Sequence, residues 1–231
     1  MKISFRIVEV FLLIFLIHSC KKDDDNSIKD GDGNVYTFDT IGNQVWLVEN
    51  LRATKYNDGT TIPLITDSTE WVNLSTPGYC WYNNDIANKD TYGALYNWYT
   101  VQIGYRNICP TGWHVPSQYE WFILKNYLGG DSIAGGKLKE AGTSHWISPN
   151  TGATNETGFT ALPGGGRYAF LHPDSWFDSI SQIGKFGAWW STTVATPIWC
   201  DATYMTYSST VAGLIGGNIQ NCGFYVRCLK D

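Results

Sequence analysis

The sequence has 231 residues, of which 43% are hydrophobic, 15% aromatic and only 16% charged, with a formal net charge of −5. That supplies one sizeable core and is tight for two, and so many rings rule out disorder for most of the chain. The acidic balance argues against a nucleic-acid partner, which needs a basic footprint, and without dominance of Ala, Glu, Lys and Leu the composition argues against a coiled coil or helical array.

Met1–Ser19 reads as an address. Lys2 and Arg6 form a basic start, and Val10–Ile17 is an unbroken apolar run. Eight residues rise about 12 Å as a helix, far short of a bilayer core of about 30 Å, so the run predicts a signal sequence. Leu16-Ile17-His18-Ser19-Cys20 resembles a bacterial lipobox, with His18 in place of the usual small residue. The resemblance implies cleavage before Cys20 and acylation of its thiol, and several acyl chains anchor firmly where one is marginal. Lys21-Lys22-Asp23-Asp24-Asp25-Asn26 then reads as a solvated tether. It resembles the Lys-plus-acidic export signal of Bacteroidetes-type surface lipoproteins. That resemblance implies an outer-membrane lipoprotein facing the cell exterior, with the membrane as a partner through Cys20. Residues 20–30 are thus the tether and residues 31–231 the folded domain.

Val35–Phe38, a turn over Asp39–Asn43 and Gln44–Leu47 predict a β-hairpin. Tyr56-Asn57-Asp58-Gly59 predicts a turn, and residues 60–85 read as irregular around an aromatic cluster at Tyr79–Tyr82. Tyr92–Val101 predicts a short helix, with Ala94, Leu95, Trp98 and Val101 on one stripe. The strongest helix signal is Ser117–Leu128. Ser117 and Glu120 form a capping box after Pro116, Trp121, Leu124 and Leu128 form the inner stripe, and Gly129-Gly130 stops it. Gly-rich sequence to Gly166 predicts long loops. Short strands follow at Ala188–Thr192, Thr203–Tyr207 and Gly223–Leu229, the last alternating Phe224, Val226 and Cys228 with Tyr225, Arg227 and Leu229. The fold class is α+β: short antiparallel strands, two helices and long loops. Trp46, Trp98, Trp113, Trp121, Trp189 and Trp190 are the expected core tryptophans.

Without Cys20 the chain keeps Cys80, Cys109, Cys200, Cys222 and Cys228, an odd number, so at least one is unpaired or pairs outside the chain. No Cys-x2-Cys spacing occurs, and His114, His145 and His172 are scattered, so neither a zinc site nor any other metal is predicted. No Gly-x-Ser-x-Gly elbow exists, and Gly164-Gly165-Gly166-Arg167 lacks the Gly-Lys-Ser/Thr ending of a phosphate loop.

Several strings together resemble the Fibrobacter succinogenes major paralogous domain, common in Bacteroidetes lipoproteins. They are Gly42–Trp46, Glu49-Asn50-Leu51, Tyr92–Tyr99, Cys109–Ser117, Gly158–Gly165, Trp189-Trp190-Ser191 and Val226-Arg227-Cys228. The likeness covers roughly residues 31–231. A more distant one is to the C-type lectin-like fold and its formylglycine-generating-enzyme branch, carried by Pro116–Trp121 and Gly223–Asp231. It implies disulfides Cys109–Cys228 and Cys200–Cys222 with Cys80 free, Cys80–Cys109 being the alternative. The calcium strings of sugar-binding lectins are missing, and so is the paired cysteine of the enzymatic branch. The expectation is therefore a non-enzymatic domain without cofactor that binds a glycan or an envelope or host protein. A structural component of the envelope and an oxidoreductase of the formylglycine-generating type are the alternatives. Tyr168–Phe186 carries aromatic residues in a polar, turn-like setting, which makes Arg167, Tyr168, His172, Asp174, Trp176 and Phe177 the candidate ligand contacts.

Overall fold

The computed structural model describes residues 27–102, 104–168, 183–196 and 199–231. The leader, Cys20 and the first part of the tether lie outside them. In the first half the chain forms β1 (Ile28–Lys29), β2 (Val35–Tyr36), β3 (Phe38–Ile41), β4 (Gln44–Leu47), α1 (Ser68–Val72), β5 (Tyr79–Cys80), α2 (Lys89–Tyr92), β6 (Leu95–Tyr96) and α3 (Trp98–Val101). It continues with β7 (Trp113–His114), α4 (Gln118–Tyr127), α5 (Asp131–Leu138), β8 (Phe186–Thr196), β9 (Trp199–Thr206), β10 (Gly213–Ile219) and β11 (Leu229–Lys230). Four small sheets result: β1-β2, β5-β6, β3-β4-β11-β7 and β10-β9-β8, with every strand pair antiparallel. The class is α+β.

The folded part begins earlier than the composition indicates. Ile28 and Lys29 pair with Tyr36 and Val35. The Asp30 carboxylate closes the loop between them, accepting from the Asp32 and Asn34 amides, the Asn34 side chain and the Tyr36 hydroxyl. The hairpin is also tighter than predicted: Asp39–Ile41 belong to β3, and Ile41 pairs with Gln44 across a two-residue turn.

Helix α4 keeps its predicted form. Ser117 is the N-cap, its side chain accepts from the Glu120 amide, and Glu120 reaches back to the Ser117 amide. Trp121 and Leu124 are fully buried. The helix expected over Tyr92–Val101 is broken. At Gly93, φ is 80° and a Cβ would stand 2.6 Å from the Leu51 carbonyl oxygen. The chain therefore turns out, and Leu95–Tyr96 become a strand against β5, leaving only Tyr92, at the end of α2, and Trp98–Val101 helical. Tertiary pairing outweighs the helical stripe here. Helix α5 was hidden by Gly135 and Gly136. Both sit where backbones touch: a Cβ would lie 2.4 Å from the Val211 oxygen and 2.5 Å from the Gly152 oxygen respectively. Strand β10 is a further addition.

The core centres on the segment Cys222–Leu229, all of it buried. It is not the continuous strand expected, because its hydrogen bonds go to several elements. Phe224 exchanges amide and carbonyl with Tyr96, and Tyr225 bonds Ala188 and Trp190. Leu51 and Leu47 donate to Val226 and Cys228. Its side chains alternate as the sequence indicates. Phe224, Val226 and Cys228 join one half of the core, while Tyr225 and Leu229 join the other. All six expected tryptophans are buried. A disulfide joins Cys109 to Cys228 across 119 residues of chain. The Cys200–Cys222 bridge is not formed. Both residues are buried, and burial pushes the Cys200 thiol up to about 12, which withholds the thiolate needed for exchange. Cys80 is a buried thiol.

Three of the buried cations among the described residues, Arg227, Lys139 and Arg167, tie the loops to this centre. Arg227 donates to Asn50 Oδ1 and to the Leu47, Phe159 and Thr160 carbonyls, with its guanidinium 4.3 Å from the Phe159 ring. Lys139 Nζ donates to the Thr151, Thr206 and Ser209 carbonyls. Arg167 donates to the Ile65, Thr66 and Asp67 carbonyls and lies over Trp71. Thr160, a β-branched residue, is held at φ 52° beside Arg227, a conformation that costs about 1–3 kcal/mol.

Candidate functional site

The site grows out of the same capping box. The Cys109–Ser117 string carries β7 to the helix start and sets His114 beside Glu120. Strand β11 pairs with β7, Leu229 opposite His114, and this brings Asp231 to the other edge of the imidazole. His114 Nε2 lies 2.9 Å from Glu120 Oε1, and Nδ1 lies 2.7 Å from Asp231 Oδ1. The second Glu120 oxygen accepts from the Ser117 amide and hydroxyl. Burial works against charge on His114, but the hydrogen bonds to Asp231 and Glu120 outweigh it, so its pKa is raised above 6.5. Burial would raise Glu120, but the Ser117 amide and His114 outweigh it, and its pKa lies below the ordinary carboxylate value.

These groups line an open cleft of about 520 Å³ between α4 and the loop after α3. The opposite wall is that loop. Tyr105 is half exposed, with its ring edge-on to Tyr56, and Arg106 lies over the Tyr105 ring while its Nε donates to Asp58 at 2.8 Å. The cleft therefore combines carboxylates, an imidazole and a ring face, the donors, acceptors and apolar surface of a small-ligand site. A second cavity of about 400 Å³ lies among Ser27, Lys29, Phe38, Trp113 and Lys230. Tyr119 and Phe122 stack on the outer face of α4, both exposed.

The residues predicted as ligand contacts fare differently. Arg167 faces inward, its guanidinium held by three carbonyls and Trp71, which makes it a packing residue. Tyr168 is half-buried, with its ring near Phe186 and Phe224. His172, Asp174, Trp176 and Phe177 lie outside the described residues. His145 is bonded to Glu140 at 2.8 Å and stands apart from the cleft. Sequence reasoning missed Tyr105, Arg106, Asp231 and the role of Glu120 as the partner of His114. The local signals were the capping box and the Cys109–Ser117 string. The approach of Asp231 across 117 residues had none.

Among the described residues, no three His, Cys, Asp or Glu side chains are placed to hold a metal ion, and no helix is long and apolar enough to cross a membrane. No curated protein and no solved structure matches the chain. The family model of the Fibrobacter succinogenes major domain matches residues 40–230. The match takes in β4, the capped helix, the buried central segment and the cleft residues other than Asp231, and by it the chain belongs to the Fibrobacter succinogenes major domain family.

Proposed function

We propose that the chain is a lipid-anchored, non-catalytic binding domain, held to the outer membrane through Cys20 and facing the cell exterior. Its ligand is a glycan, bound in the cleft between α4 and the loop after α3. The observation that carries this reading is the juxtaposition of the His114–Glu120–Asp231 cluster with the half-exposed Tyr105 ring in one open cleft. Sugar hydroxyls donate to carboxylates, and the C–H face of a pyranose packs on a ring. The lectin-like topology belongs to this proposal. It is supported by β11 lying beside the strand that leads into α4, and by the disulfide from Cys109, ahead of that helix, to Cys228.

Glycan-array screening of the purified chain tests the binding role. Tyr105→Ala is expected to abolish the array signal while leaving the thermal transition in place. An array without signal, or a signal indifferent to Tyr105→Ala, counts against the cleft. Trp176→Ala in parallel reports on the 168–186 segment. Mass spectrometry of the membrane-extracted protein tests the anchor, and an unacylated product retaining residues 1–19 removes it.

A further inference from the structure

Glu120 and Asp231 reach His114 from different elements. Glu120 stands on the first turn of α4, and Asp231 follows β11, where its amide donates to the Gly112 carbonyl at 3.1 Å. Both carboxylates offer lone pairs only. The ring satisfies both of them only when each of its nitrogens carries a proton. A neutral ring would turn a bare nitrogen toward an anionic oxygen 2.7 or 2.9 Å away.

We propose that doubly protonated His114 is a latch that ties Asp231 to the start of α4 and closes the floor of the cleft, and that loss of its proton releases Asp231 and opens that floor. Asp231 is the partner that leaves. Its side chain is 61% exposed, whereas Glu120 is also held by the Ser117 amide and hydroxyl. The other charges around the ring are engaged elsewhere or turned away. Arg106, on the loop wall, is paired with Asp58, and Lys230, on β11, lines the second cavity.

The direction follows from linkage. The latched state keeps its proton above the ordinary imidazole value of 6.5, so the latch is complete below that pH and is lost as pH rises through the raised value. The latch deepens the cleft reading by naming its regulation. A failed glycan array with an intact His114 titration removes the ligand and leaves the latch.

NMR titration and amide exchange of the purified chain test the latch. His114 is expected to titrate above 6.5, and Asp231→Asn to bring it down toward that value. Exchange of the Asp231 amide, corrected for its intrinsic rate, is expected to speed by about tenfold per pH unit between the ordinary and the raised values. In His114→Gln that dependence should vanish. The proposal is overturned by titration at or below 6.5, by an unchanged His114 in Asp231→Asn, or by a pH dependence that survives in His114→Gln.

Discussion

The interior and the cleft use the same kinds of charged side chain with opposite partners. Arg227, Lys139 and Arg167 are buried, and every oxygen they bond is neutral: nine backbone carbonyls, three to each side chain, and the Asn50 amide oxygen. In the cleft each cation meets carboxylates instead, His114 with Glu120 and Asp231, and Arg106 with Asp58. An interior cation among carbonyl dipoles holds loops in place and is closed to any ligand. A partly exposed pair is worth little to stability, yet its oxygens keep room for another donor. Lys125, also buried, stands between the two cases, because its Nζ meets the exposed Asp131 carboxylate at 3.1 Å outside the cleft.

Substitutions at the interior cations put the largest strain on this contrast. Arg227→Met keeps the volume but takes this donor from the Leu47, Phe159 and Thr160 carbonyls, and leaves Asn50 Oδ1 with the Trp189 indole N–H. A loss of about 3–5 kcal/mol in urea unfolding is expected, and a loss below about 1 kcal/mol would break the comparison. Lys139→Met should cost about 2–3 kcal/mol for its three abandoned carbonyls. Burial lowers the Lys139 pKa from 10.5 to about 8. Between those values the unfolded chain holds more protons than the folded one, so Lys139 makes stability rise with pH there. Unfolding midpoints measured across that range should lose this slope in Lys139→Met.

Thr160→Gly probes the backbone that Arg227 holds. Relief of the positive φ is opposed by the entropy cost of glycine and by loss of the Thr160 hydroxyl bonds to Asn155 and Gly158, so a shift of less than about 1 kcal/mol is expected by calorimetry. The smallest change in stability belongs to the cleft. Asp231→Asn should shift unfolding by less than about 0.5 kcal/mol while weakening glycan capture in a direct binding assay. A large unfolding shift would move Asp231 to the structural side of the comparison.

The same contrast explains what could be read from the sequence. The capping box at Ser117–Glu120 and the alternation of Phe224 to Leu229 are local patterns, and both hold in the structure. The buried tryptophans were legible for the same reason. Leu95–Tyr96 and α5 were misread because distant backbones set them: Leu51 and Phe224 in one case, Val211 and Gly152 in the other. Arg167 looked like a surface residue in a glycine-rich turn, and only the carbonyls of Ile65–Asp67, a hundred residues earlier, show its place. The cleft was less visible still. His114 and Glu120 lie in strings that could be recognised, but Tyr105 and Asp231 arrive by folding alone.

The placement of Cys222–Leu229 between the two halves of the core also fixes an order of events. A ribosome makes everything from Ile28 to Asn221 before the piece that both halves need. A growing chain that stops short of Cys222 therefore lacks the segment against which both clusters pack, and it carries two unfinished apolar surfaces.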